Sequence, residues 1–593
     1  MIRTPLRPLA HVLPARARQE DPDSVMRHNL RQRHDQMEIA ARQMAESRLL
    51  VLIVFIVAAF AAVAVRMANL AHSDGQEPTQ QIAAAAIAQS RADITDRHGR
   101  ILATNFETHS LYAQPPDMVD PAAAARGLVQ VFPDLDEARL LRDFTGKRKF
   151  IWIKRRISPE QMQAVHDIGD PGLRFGPREM RLYPNGSVAS HVLGGASFGK
   201  EGVNAAEVLG VAGVEKHFDA FLRDPAQNGR PLQLSLDLTV QAATEEVLAG
   251  GMAVMNAEGA SAVVMDIHTG EVVAIASLPD FDPNDRPRPA LGDDPSISPL
   301  FNRAVQGVYE LGSVFKIFTA AQAMDLGLAA PETEIDTTGP LRWGRFKIND
   351  FRHYGNRMSV TKIIEKSSNI GTARLAQQIG AVRQKNFLES LGLFDPTPLE
   401  LTEAGGSDPL IQKNWSELTT MTVSYGHGIS VSPMHLAAGY AAIANGGRMI
   451  RPTLLKQSGP QEGVRVLSER AAAEARMMLR RVVSEGTASM VNVKGYSVAG
   501  KTGTADKPRA RGGYYEDKVL SSFAGLFPAH DPAYAIVVTL DEPEIMGLGE
   551  LRRTAGWTAV PVTGELIRRI APLLGVRPLI EPDERIAITQ ASN

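Results

Sequence analysis

Ser313 and Lys316 stand three residues apart at the start of an apolar-periodic segment that ends near Asp325-Leu326-Gly327. If that segment is helical, the i, i+3 spacing puts a hydroxyl and an amine on one face of its N-terminal turn. There, backbone N–H groups lacking helical partners and the positive end of the helix dipole favour developing negative charge. A serine needs a base to become nucleophilic, and a neutral lysine one turn away can serve. From an ordinary lysine pKa of about 10.4, the neutral form costs about 4 to 5 kcal/mol at pH 7. Burial or a second cation nearby must reduce that cost. A lone S-x-x-K arises by chance in many chains, so its company matters. Ser367-Ser368-Asn369 follows, and Lys501-Thr502-Gly503-Thr504 follows later still.

Elements able to position these residues are visible in the pattern. Ala92 to Thr95 and Arg100 to Thr104 read as a hairpin around Asp96-Arg97-His98-Gly99, with Gly99 able to take the positive φ of a tight turn. Short strands, helices and Gly/Pro punctuation continue to about Pro231. Leu232 to Leu236 opens a second region as an alternating strand. Ala262 to Asp266 and Val272 to Ser277 form a buried hairpin around His268-Thr269-Gly270, and further strands fall at Leu520 to Leu526 and Ala535 to Leu540. Helical stretches lie between, and Val562 to Leu574 closes the region as a helix. Strands at both ends with helices in the middle predict an antiparallel sheet flanked by helices. The expected organisation is a tail over 1–48, a span over 49–70, a mixed α+β pedestal over 71–231, a catalytic domain over 232–580 and a loose tail over 581–593.

Composition narrows the function classes. Lysine plus arginine (64) nearly balances aspartate plus glutamate (66), so the net charge of -2 gives no global attraction to nucleic acid. The absence of cysteine excludes disulfides, thiolate zinc sites and a cysteine nucleophile. Leu49 to Val65 is uninterrupted aliphatic, alanine and phenylalanine, and with a continuation to Leu70 it is long enough to cross a hydrocarbon core of about 30 Å. No A-x-A site follows, which favours a retained anchor over a cleaved signal peptide. Nine arginines precede the run, from Arg3 to Arg48, against Arg66 immediately after it. The positive-inside rule then puts the N-terminus in the cytoplasm and the remainder outside.

In order and spacing, the three polar groups resemble the penicillin-recognising serine enzymes. The chain resembles class B penicillin-binding proteins from the anchor to about Gly575, because Arg91 to Ala103, the Arg181-to-Gly195 stretch and Gly213-Val214-Glu215 look like that family's pedestal motifs. Trp415-Ser416 and Ser424-Tyr425-Gly426-His427-Gly428-Ile429 look like the FtsI division type. Leu311 departs from the family, where many members have proline.

The resemblance implies an α/β multidomain protein whose catalytic domain is similar to serine β-lactamases. It implies a D,D-transpeptidase that cross-links peptidoglycan stem peptides at the septum and is acylated by β-lactams. By position, Ser313 is the nucleophile, Lys316 its base and Ser367 the proton relay held by Lys501, which also lowers the pKa of Lys316. Asn369 orients Lys316 and bonds the substrate amide. Thr502 and Thr504 hold a terminal carboxylate, Gly503 lets a neighbouring wall pack close, and the backbone N–H groups of Ser313 and Thr504 form the oxyanion hole. No cofactor is implied. The implied partners are D-Ala-D-Ala stem peptides, a polytopic glycosyltransferase of the SEDS type (FtsW) and other division proteins.

Rival readings carry less. Gly495 to Thr502 fits the phosphate-binding loop pattern, but Gly503, Pro508 and Gly512-Gly513 oppose the helix it needs. Gly195-Ala196-Ser197-Phe198-Gly199 fits the hydrolase elbow, yet glycines follow where its helix should start. His427 could pair with a serine or simply pack near the site. An elongation-type transpeptidase, a β-lactamase or β-lactam sensor, and a non-catalytic division scaffold remain as alternatives.

Overall fold

The computed structural model describes residues 91–579 except 202–205, 290–294 and 510–511, and before them only 17, 18, 31, 53–61, 63 and 64. The chain forms two compact units, 1–85 and 86–593. In the first, residues 53–61 are helical, with Phe55 and Phe60 exposed. Among the described residues no helix is long and apolar enough to cross a membrane. Most of the span expected over 49–70 lies outside them.

The second unit begins at the expected hairpin. Strand β1 (Ile94–Thr95) pairs antiparallel with β2 (Ile101–Ala113). The Asp96 side chain accepts from the N–H groups of His98 and Arg100, and Gly99 takes φ +82°, so the turn is closed by its own chemistry. β2 continues into a head built with β3 (Ile151–Ile157) and β4 (Leu173–Leu182). Helices α1 (Pro121–Val131), α2 (Glu137–Phe144) and α3 (Pro159–His166), capped by Asp120, Asp136 and Ser158, belong to this head. Its core is small and separate, around Leu111, Leu128, Phe144 and Val165.

The three pedestal motifs singled out in the sequence converge on one buried carboxylate. Arg91 Nε and Arg181 Nε each lie 2.6 Å from Glu215, on opposite carboxylate oxygens, and Tyr183 donates its hydroxyl to the same group at 3.3 Å. Glu215 sits in α4 (Gly213–His217). The Gly195–Gly199 stretch lies in β5 (Gly195–Glu201), which pairs with β6 (Ala206–Ala212); extended backbone directly follows the serine where the elbow needs a helix, so the elbow reading fails.

Strand β7 (Leu232–Gln233) then pairs parallel with β1. The expected strand to Leu236 is therefore shorter, because Leu234 instead bridges Leu455. The hydrophobic core does not stop there. One cluster joins Ala92, Ile94, Leu102, Tyr183 and Val214 to the interior that follows Leu232.

That interior is an antiparallel sheet. β8 (Gly259–Asp266) and β9 (Val272–Leu278) pair as the predicted hairpin. β10 (Ala499–Pro508), β11 (Tyr514–Phe527) and β12 (Tyr534–Asp541) complete the order β10-β11-β12-β8-β9. Helices α5 (Leu238–Val254) and α11 (Ala559–Ile570) pack on each other and on the sheet, as do α9 (Pro433–Ala444) and α10 (Glu469–Ser484). Their coverage explains why β9 is buried at every position and reads as an unbroken apolar run. Between these layers run α6 (Lys316–Asp325), α7 (Val360–Lys366) and α8 (Asn369–Ile379). Strand β10 also removes the phosphate-loop reading, since extended backbone follows Lys501 where that motif needs a helix.

Candidate active site

Ser313 does not begin an α-helix. It lies in a 3-10 turn, Gly312–Phe315, which passes directly into α6 at Lys316. Gly312 adopts φ +64°, a conformation glycine takes without strain. The turn is held from behind by Tyr440 of α9, whose buried hydroxyl donates to Val314 O at 2.8 Å. It is clamped from the side by Gly426, whose carbonyl accepts from Gly312 N at 3.3 Å. Ser313 remains half-buried, and among the described residues its hydroxyl has no hydrogen-bond partner.

Lys316 and Lys501 are both fully buried, at 0% exposure, and both point at Ser367. Lys316 Nζ donates to Ser367 O at 2.6 Å and to Ser367 Oγ at 3.0 Å. Lys501 Nζ reaches the same Oγ at 3.0 Å from the opposite side of the chain. Ser367 can present hydroxyl and carbonyl together because it adopts φ +63° at the C-terminus of α7, a left-handed conformation uncommon for a non-glycine residue. Ser368 then caps α8, accepting from Gly371 N and donating to Asp350 at 2.7 Å.

Electrostatics follow from this burial. Desolvation pushes the Lys316 pKa well down, and the Lys501 charge lowers it further. Lys501 is itself brought to about 7 by burial. Two ammonium groups bridged by one hydroxyl cannot both stay charged cheaply, so the pair favours one neutral amine. Burial thus comes before like-charge repulsion as the cause, whereas the sequence left the two equal. Asp350, which sequence reasoning missed, opposes the shift. Its signal is only local: an acidic residue after a short hairpin carries no motif.

Asn369 lies beside this cluster, half-buried at the start of α8, and its amide donates to Asn349 O at 2.9 Å. Lys316 is instead oriented by Ser367. Thr502 Oγ1 bonds Thr487 Oγ1 at 2.7 Å, and Thr504 Oγ1 accepts from Ala555 N at 3.0 Å. β10 is the outer strand of its sheet. Gly503 meets the nucleophile turn: a Cβ there would lie 2.3 Å from Leu311 O and 3.0 Å from Val314. Gly503→Ala must displace that turn, and we expect acylation by penicillin to slow about tenfold to a hundredfold, measured by stopped-flow labelling.

Glu310 anchors the other side. It accepts from Gly428 N at 2.8 Å and from the Tyr514 hydroxyl at 3.1 Å, and its second oxygen faces His427 Nδ1 at 3.1 Å. The histidine at which the sequence reading stopped short is therefore tied to the turn that carries Ser313.

This constellation on a sheet packed by helices defines a serine acyl-transfer centre served by a buried lysine pair. Residues 260–567 match the penicillin binding protein transpeptidase domain, and residues 86–229 match the penicillin-binding protein dimerisation domain. The chain belongs to the class B penicillin-binding proteins, of the FtsI type. It is 35% identical over 501 residues to the probable peptidoglycan D,D-transpeptidase FtsI of Caulobacter vibrioides, covering 82% of each chain. It is 30% identical to the probable peptidoglycan D,D-transpeptidase PenA of Neisseria gonorrhoeae, over 83% of this chain and 86% of that one. Among solved structures, penicillin-binding protein 3 of Mycobacterium tuberculosis complexed with aztreonam superposes with TM-score 0.62 at 26% identity, over 83% of this chain and 99% of the other.

Proposed function

We propose that the protein is a peptidoglycan D,D-transpeptidase acting through an acyl-enzyme on Ser313. The observation that carries this reading is the Ser367 hydroxyl bonded by two buried lysines, one of them a single helical turn from Ser313. Ser313 attacks the carbonyl of the penultimate D-alanine of a stem peptide. Lys316, neutral, takes its proton, and Ser367, held by Lys501, passes a proton to the leaving D-alanine. The backbone N–H groups of Ser313 and Thr504 stabilise the oxyanion, and Thr502 and Thr504 receive the terminal carboxylate. Asn369 bonds the substrate amide. Gly503 lets the nucleophile turn pack close against β10, along whose outer edge the donor peptide lies as an added strand. An amine from a neighbouring stem then displaces Ser313 and completes the cross-link. β-Lactams acylate the same serine.

Relatives named FtsI in Caulobacter vibrioides and Escherichia coli support a septal role. The apolar run from Leu49 to Val65 and the arginines before it support a single anchor over 49–70, a cytoplasmic tail over 1–48 and an extracytoplasmic remainder. In this reading the pedestal covers 71–231 and the catalytic domain 232–580. Glycan strands come from a SEDS-type glycosyltransferase, FtsW, that contacts the anchor and pedestal together with other division proteins.

Incubation with a fluorescent penicillin tests the chemistry. A stable covalent label that disappears in Ser313→Ala is expected; rapid turnover of the label would indicate a β-lactamase, and no label on the parent protein a scaffold. Depletion should produce filaments, and rounded cells would indicate an elongation role.

A further inference from the structure

The glycine-rich hairpin that fits the hydrolase-elbow pattern lines a cavity of about 670 Å³ in the pedestal. Ala196, Ser197 and Phe198 of β5 belong to its wall, with Val208 of β6 paired opposite Phe198. Ile153 to Arg156 of β3 and Met180 and Arg181 of β4 also line it, as do Pro283 and Asn284 from the catalytic half. Asn284 is locked in place, since its side chain accepts from Tyr183 N at 3.0 Å and donates to Tyr183 O at 2.9 Å. The Arg178 guanidinium lies 4.5 Å from the Trp152 ring and 5.7 Å from that of Phe198, which fixes the aromatic wall. A preformed cavity of this volume is the usual size for a ligand site.

The charge of the lining is one-sided. Lys154, Arg155, Arg156 and Arg181 are cations, and among the described residues that line the cavity none is acidic. Lys154 is already met by Asp134 at 2.5 Å. Arg156 is exposed and its Nη1 rests on Met180 Sδ at 3.2 Å, a contact that holds the guanidinium at the cavity without neutralising it. Arg155 beside it is exposed as well. Arg181 is the deepest of the four: its side chain is 3% exposed, and Glu215 offsets it at Nε. Its Nη2 is enclosed and has no hydrogen-bond partner among the described residues. Residues 147–156 carry six cations and no acid in a chain whose total charge is nearly balanced, so the excess is particular to this strand and the loop before it. β3 is an outer strand of its sheet, and cations there discourage pairing with other chains. That role needs no cavity, no aromatic wall and no buried guanidinium behind it.

We propose that this cavity binds a short peptide bearing carboxylates, and that its source is the peptidoglycan stem peptide, held by the pedestal at a site that shares no lining residue with the Ser313 cluster. The choice of source rests on the transpeptidase reading above: a stem peptide is short and ends in a free carboxylate. Arg155 and Arg156 pair with the carboxylates through their planar forks, while the apolar atoms of the peptide lie on Phe198, Met180 and Val208. Arg181 favours the anion through its field, without touching it.

Calorimetric titration tests this on the purified full-length protein, first acylated by penicillin so that the catalytic cleft is occupied. The probe is the tripeptide L-Ala-γ-D-Glu-meso-diaminopimelate, which lacks the D-Ala-D-Ala end. Saturable binding that weakens as salt is raised is expected. Arg155→Gln combined with Arg156→Gln should lower the affinity about tenfold or more. Ser197→Trp, which fills the cavity from an exposed position, should abolish binding. Both variants should take up penicillin at the parent rate, which establishes that they are folded. The proposal is overturned if the acylated parent binds no tripeptide, or if either folded variant binds it as the parent does. A linear peptide of L-glutamates that binds as tightly as the tripeptide overturns the assignment to stem peptide. Cosedimentation with phosphatidylglycerol vesicles that is lost in the double variant, with tripeptide binding kept, would assign the arginines to a membrane surface and overturn it too. Should neither variant fold, salt-insensitive binding by the parent overturns it. A parent that takes up no penicillin would instead strike the transpeptidase reading, and the assignment to stem peptide would fall with it.

Discussion

Lys316→Met is expected to fold, retain Ser313 and acylate with penicillin about 10² to 10⁴ times more slowly. The replacement has similar volume and removes a buried amine, so it also removes the desolvation cost that depresses the group. Stability should therefore hold or rise while the reaction is lost, a combination that simple misfolding cannot produce. The pH profile gives the sign. Acylation needs the neutral amine, and the Lys316 pKa lies well below 10.5. The rate should fall as pH drops through that depressed value and recover above it. A Lys316→Met protein that labels at the parent rate would remove Lys316 from the mechanism and leave the base unassigned.

Glu215→Ala should have the largest effect on stability. It strips the shared partner from Arg91 and Arg181, whose side chains are 2% and 3% exposed. Breaking a buried ion pair from one side leaves charge without compensation and costs about 3 to 5 kcal/mol. The loss should appear as an earlier urea transition and as proteolysis of the pedestal. Glu215→Gln keeps acceptor and shape but not charge, and should fall between. A shift below about 1 kcal/mol in the alanine variant would mean that water or Asp219, already 2.6 Å from Arg91, takes over the charge.

How much of this was legible in the sequence depended on whether the cause was local. The buried hairpin Gly259 to Leu278 and the strands after Tyr514 were readable because burial on both faces leaves continuous apolar runs. The Asp96 turn was readable because a glycine and a side-chain acceptor sit within a few residues of each other. Lys316, Lys501 and their meeting at Ser367 could be named from motif and resemblance, but the means could not, since it needs the left-handed backbone at Ser367 and the outer position of β10. The tight turn at Ser313 read as the start of a helix because residues three apart fall on one face in a 3-10 turn as they do in an α-helix. Glu310, Asp350 and Tyr440 were invisible for a different reason. Each acts through a partner distant in sequence, and none carries a spacing that distinguishes it from an ordinary polar or aromatic residue.

The shared core around Ile94, Leu102, Tyr183 and Val214 has a practical corollary for anyone wishing to isolate the catalytic half. A fragment starting at Leu232 would bare the greasy seam those side chains cover and leave the edge of β7 open to other chains. Such a piece should clump on expression, whereas one starting just before Arg91 would carry its own lid and stay in solution.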